Sequence, residues 1–173
     1  MSSSAQTRRI REFFSAKDLD NLAPEAKGLK PEDVTVGGFK DEEEKEHLLR
    51  GSALIAPYMK TASFDFEETG MHIGVFEWGA GISTPVHSHS DDCVYYVERG
   101  SLLMGNKEIG PGEGFLTRKD EPYAFLVGPD GARVIEFTTG PRHDVTFHDR
   151  HMGAWRERME TAVAKLEAMK KVV

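Results

Sequence analysis

The chain has 173 residues and a formal charge of −7 at neutral pH, with 39% hydrophobic and 29% charged residues. This is material for one globular domain with a short attachment at each end, and the acidic balance excludes the clustered Lys and Arg of a nucleic-acid surface. A single cysteine excludes an intramolecular disulfide, and no window has the apolar length of a membrane span or a signal-peptide core, so a cytoplasmic location is expected.

Residues 1–52 read as an N-terminal helical or extended arm. Ile10, Phe13 and Phe14 give a short helix one apolar edge, and "LAPEAKGLKPED" (22–33) reads as a loop. "DEEEKEHLLRG" (41–51) predicts a helix that Asp41 caps, acids in the first turn favour, and Gly51 closes. Its acidic run, and His47 within it, read as a solvated face.

Residues 53–142 read as a barrel. Ten short segments rich in Val, Ile, Phe and Tyr alternate with turn signals: "SALIAPY", "ASFDFEE", "MHIGVFEW", "TPVHSH", "CVYYVER", "SLLMG", "KEIG", "GFLT", "YAFLV" and "ARVIEFTT". "GNK", "GPGEG" and "GPDG" supply the turns. So many short strands imply an antiparallel, all-β barrel or jelly roll.

Residues 143–173 read as an exit segment and a C-terminal amphipathic helix. Trp155, Met159, Val163, Leu166 and Met169 form one stripe, for packing on the barrel or on a second subunit, and Lys170 and Lys171 suit the helix C-terminus. His143, His148 and His151 fall in the polar exit with no ligand spacing.

The stretch "HSHSDDCVYYVERG" (87–100) carries the chemistry. Pleating places His87 and His89 on one face, Cys93, Tyr95 and Val97 on one face of the next strand, and Tyr123 and Phe125 on one face of another. In the same way His72 and Glu77 lie on opposite faces of their strand, and one of them faces inward.

Two motifs, together spanning roughly residues 60–140, resemble those of the cupin family. Gly81, five residues, His87-x-His89, three residues, a ligand position, six residues and Gly100 follow the first; "GPGEGFLTRKDEPYAFLV", with Pro111, Gly112 and Gly114 at its turn, follows the second. Cys93 stands where the family has Glu, and Tyr123 where it has the last His. The resemblance implies a double-stranded β-helix, the cupin jelly-roll barrel, with short N-terminal helices and a C-terminal helix. It also implies a divalent metal ion, Fe or Zn, on His87, His89, Cys93 and Tyr123, with Asp92 a further candidate if the loop slips by one residue.

Tyr95 lies two residues after the ligand position, where a Tyr acts as base in cupins resembling dimethylsulfoniopropionate lyases; its other reading is barrel filling. Tyr123 resembles the Tyr implicated in iron binding in ectoine synthases. The implied function is a metal-dependent dioxygenase, lyase or isomerase acting on a small apolar or aromatic molecule, with Tyr95 and Tyr123 as proton-transfer residues. A non-catalytic binding or sensing protein, or a metal-free isomerase or epimerase, are the alternatives. The expected partners are a small-molecule ligand and a second copy in a homodimer, with neither nucleic acid nor membrane.

Overall fold

In the computed structural model, which describes residues 13–21, 35–66, 68–140 and 144–170, period-two alternation resolves into two sheets. The larger contains β1 (Asp20–Asn21), β3 (Met59–Phe66), β4 (Met71–Trp78), β6 (Cys93–Met104), β7 (Lys107–Ile109), β8 (Gly114–Thr117) and β9 (Leu126–Thr138). Its order is β1-β3-β4-β9-β6-β7, with β8 also pairing β6. The smaller sheet has the order β2-β10-β5, from β2 (Thr35–Gly37), β5 (His87–Ser88) and β10 (Asp144–Phe147). All pairings are antiparallel except β2 with β10. The fold is a mainly-β jelly roll, as expected.

Strand β4 occupies the residues read from the sequence. Others differ. "CVYYVER" and "SLLMG" are one strand, β6, and the last two residues of "YAFLV", Leu126 and Val127, join "ARVIEFTT" in β9. "GPDG" is therefore not a turn; Gly131 takes φ 74° inside the strand, where the β6–β9 register shifts. "SALIAPY" is not a strand. Helix α1 (Glu42–Ile55) runs through it and ends in a 3₁₀ turn at Ala56–Tyr58.

Asp41 caps α1 as expected, its Oδ1 accepting from Glu44 N–H at 3.0 Å, but Gly51 does not close it. Gly51 is the point of contact with α2 (Met152–Lys170): a Cβ there would lie 2.3 Å from Trp155 Cζ3. Trp155, Met159 and Ala162 are buried, so the stripe packs on α1 and the barrel; Met169 stays exposed. Burying a side chain such as Met159 contributes about 1.5–3 kcal/mol. His47 is half-buried and lies against Gly153. Phe13 and Phe14 are not helical; Phe14 packs its ring 4.8 Å from Phe64 on β3. Ile10, the 22–33 loop, His143 and Lys171 lie outside the described residues.

Candidate active site in the barrel interior

Strand register converts the sequence into rows of side chains. Asp65, His72, Thr138, Cys93 and Thr117 pair across β3, β4, β9, β6 and β8. One row along, Ser63, Gly74, Glu136, Tyr95 and Phe115 do the same. His72, Thr138, Cys93, Thr117, Glu136 and Tyr95 are all buried, which places both rows on the inward face. His72 is thus the inward member of the pair left open by the sequence. Its Nδ1 is 2.7 Å from Asp65 Oδ1. Glu77 faces outward and meets Arg133 and Arg99, each at 2.8 Å. The hydrogen bond from Arg133 holds its carboxyl below the usual carboxylate range, against a smaller opposing effect of burial.

The smaller sheet brings the imidazoles. His87 and Tyr123 exchange two backbone hydrogen bonds, His87 N–H to Tyr123 O at 3.0 Å and the reverse at 2.9 Å. Their rings lie 4.4 Å apart, and His87 and His89 lie 5.0 Å apart at 88°. Tyr123 Oη is 2.7 Å from Tyr95 Oη, a buried contact that joins the two sheets. Phe115 stacks on Tyr95 at 4.7 Å, and Phe125 packs its ring 5.9 Å away. The interior holds an aromatic cluster around the paired phenols.

The imidazoles can be tested as metal ligands. His87 Nδ1 donates to Pro85 O at 2.8 Å, and His89 Nδ1 donates to Asp144 O at 2.5 Å. A carbonyl only accepts, so each neutral ring carries its proton on Nδ1 and its lone pair on Nε2. That is the arrangement by which ligating histidines are oriented. Among the described residues no three His, Cys, Asp or Glu side chains converge closely enough to hold an ion. Cys93 sits in the inward row beside Thr117 and Thr138, 1% exposed. The two imidazoles fit a metal, and Tyr123 is the neighbouring third donor. Asp92 does not join them. It turns to Lys119 N–H at 2.8 Å and Arg118 at 2.9 Å, which hold its carboxyl below the ordinary value.

His148 meets Ser88 Oγ at 2.8 Å, outside the imidazole pair, and His151 is exposed. Sequence reasoning missed Glu136, a carboxylate 3% exposed and paired in register with Tyr95.

The motif glycines complete the description. Gly81, Gly100 and Gly112 take φ of 75°, 72° and 85°, backbone that favours glycine. A Cβ on Gly100 would lie 1.9 Å from Gly131 O. Both motifs thus supply the bends that carry the strands past one another. The chain is a mainly-β jelly roll.

No protein-family model and no curated protein matches it. Solved structures similar to this chain include the polyketide cyclase RemF from Streptomyces resistomycificus, 25% identical over 53% of this chain and 72% of that one, with a TM-score of 0.45. A structure of the DMSP lyases RdDddP and RnDddQII is 16% identical over 55% of each chain, with a TM-score of 0.47. An RmlC-like cupin from Shewanella frigidimarina is 19% identical over 49% of this chain and 78% of its own, with a TM-score of 0.44. The neighbours are cupin-like proteins and include enzymes. No helix among the described residues is long and apolar enough to cross a membrane.

Proposed function

We propose that this chain is an enzyme that moves a proton on a small apolar or aromatic molecule inside the barrel, as lyases and isomerases do. The observation that carries this reading is the buried Tyr95–Tyr123 pair at 2.7 Å, with the His87 ring 4.4 Å from Tyr123. One phenol donates to the other, so a phenolate formed at the acceptor keeps a hydrogen bond that stabilises its charge. Tyr95 or Tyr123 takes or returns the proton at its Oη. Phe115 and Phe125 keep water from the pair and offer apolar surface to the substrate.

His87 and His89, through Nε2, and Tyr123, through Oη, would hold a divalent ion, Fe or Zn. Imidazole suits both metals. When bound, the ion supplies a Lewis acid that polarises a carbonyl or carboxylate. A dioxygenase would not need the second phenol, and for that reason proton transfer is preferred.

A homodimer is part of the proposal. On the outer face of the larger sheet Leu116, Val94 and Phe137 pair in register and are 48%, 43% and 38% exposed. A second copy is the partner this apolar row would take, and the cytoplasm is the compartment the free thiol suits. A monomer by light scattering at about micromolar concentration, against the micromolar association expected of such a face, would count against the dimer.

The test has two arms. Protein purified without chelator is expected to carry about one equivalent of Fe or Zn that His89→Ala loses. Separately, a panel of small aromatic and carbonyl compounds is incubated with enzyme in D2O and followed by NMR for C–H to C–D exchange. Exchange that Tyr95→Phe abolishes supports the reading. Exchange at the wild-type rate in both Tyr95→Phe and Tyr123→Phe defeats it.

A further inference from the structure

A cavity of about 140 Å³ lies between the helices and the barrel and shares Phe125 with the aromatic cluster just described. Its walls include Ile55 on α1, Trp155 on α2, Phe147 on β10, Trp78 and Val127 on the larger sheet, Phe125 just before β9, and Ser83 and Pro85 on the segment between β4 and β5. None of His87, His89, Tyr95 or Tyr123 lines it. Phe125 and Phe147 stand between, with ring centroids 5.9 Å from Tyr95 and 6.3 Å from His87.

Two observations say what it would hold. The first is size and lining. Apolar cavities of roughly 150 Å³ lined by side chains such as Leu, Ile and Phe stay dry and take a benzene-sized guest. Here four of the walls are aromatic, with Trp78 and Phe125 4.8 Å apart, so offset and edge contacts to a planar guest are available. The second is a buried donor. Trp78, whose residue lines this cavity and also the groove beside Glu77 and Arg99, is 8% exposed, and its indole N–H has no hydrogen-bond partner among the described residues. The other indole, Trp155, does not share this feature; it donates to Ser83 O at 2.9 Å. A buried donor left unpaired loses its hydration without replacement, and a guest carrying one acceptor would restore a hydrogen bond.

We propose that this cavity is a binding site for a one-ring aromatic molecule, or the one-ring part of a larger one, bearing a single hydrogen-bond acceptor that Trp78 Nε1–H reads. The site touches the barrel chemistry through Pro85, which lines the cavity and whose carbonyl orients His87. The inference does not depend on the proton-transfer reading or on a metal.

The probes are ethylbenzene and anisole, near-isosteric molecules that differ by an ether oxygen, followed by ligand-detected NMR and calorimetry on the full chain. Both bind the wild type. Ile55→Phe and Val127→Phe, each filling the cavity from a different element, weaken both probes more than about tenfold. Trp78→Phe weakens anisole about fivefold to tenfold relative to ethylbenzene, the worth of one hydrogen bond. His89→Ala and Tyr95→Phe leave both affinities in place.

Should the filled variants fail to fold, Phe147→Ala serves instead, since the enlarged cavity then admits naphthalene that the wild type refuses. Folded filled variants that bind both probes like the wild type would overturn the proposal, as would a Phe147→Ala protein that still refuses naphthalene. Probe binding lost in Tyr95→Phe but kept in the filled variants would move the guest into the barrel, overturning this site while leaving the proton-transfer reading intact.

Discussion

Replacing Gly51 by Ala puts the packing of the two helices to a quantitative test. The added Cβ meets the Trp155 ring at 2.3, 2.9 and 3.0 Å, and no real Cβ tolerates the first of these. Trp155 is 1% exposed and its Nε1 is tied to Ser83 O at 2.9 Å, so it has nowhere to retreat without breaking that bond. Overpacking costs about 1–3 kcal/mol, and the indole hydrogen bond adds about 1 kcal/mol if it is lost. Against this, Ala in place of Gly within a helix gains about 0.5–1 kcal/mol. The net destabilisation is about 1–3 kcal/mol, or a fall in Tm of roughly 2–12 °C for a chain of this size.

Thermal and urea unfolding, read by Trp fluorescence, measure it. Gly37→Ala is the control, because nothing lies within 4 Å of a Cβ there, and its change should stay within about 0.5 kcal/mol. In a Trp155→Phe background the smaller ring gives way, and the Gly51→Ala cost should shrink by half or more, a coupling a double-mutant cycle reports. A Gly51→Ala protein as stable as the wild type would refute the reasoning.

Glu77 predicts a pH dependence. Its folded pKa is depressed, chiefly by the Arg133 hydrogen bond, so the stabilisation is present above the ordinary carboxyl range and is lost as pH falls through the lower, folded value. The group is partly exposed, so the effect is below about 1 kcal/mol. Glu77→Gln should be less stable than wild type at pH 7 and converge with it in acid; parallel stability curves from pH 7 to pH 3 would count against the pair. Gly100→Ala combines φ 72° with a 1.9 Å approach to Gly131 O, and it should fail to accumulate as folded protein or unfold with at least about 3 kcal/mol less stability in urea. Wild-type stability would show that the crossing of β6 and β9 has slack.

The sequence made the jelly roll legible because short apolar runs such as "MHIGVFEW" alternate with turn signals and because the motif glycines fall at bends that only left-handed backbone can make. His87 and His89 were legible for the same reason, since a period of two puts them on one face. The misreadings have physical causes. "SALIAPY" is apolar and short, and nothing local marks it as the end of a helix; Gly51 looks like a stop until Trp155 is seen filling the space its side chain would take.

Glu136 was missed because "ARVIEFTT" is evenly apolar on both faces, with Val134 on one and Ile135 and Phe137 on the other. Only the register opposite Tyr95 chooses the inward face. Cys93 was legible as an inward position from its place in the motif, and the structure buries it in the row of Thr117 and Thr138.

The hold on His89 reaches beyond the barrel strands. Asp144 offers its carbonyl to the ring and its carboxylate to Ser90 N–H and Oγ at 2.9 and 3.1 Å. A fragment ended at residue 142, where the motif-bearing region stops, would keep both histidines in its sequence yet release one of them to spin. Engineering a minimal version of this protein therefore means retaining the first strand after that point, because the reach of the working centre is longer than the stretch that advertises it.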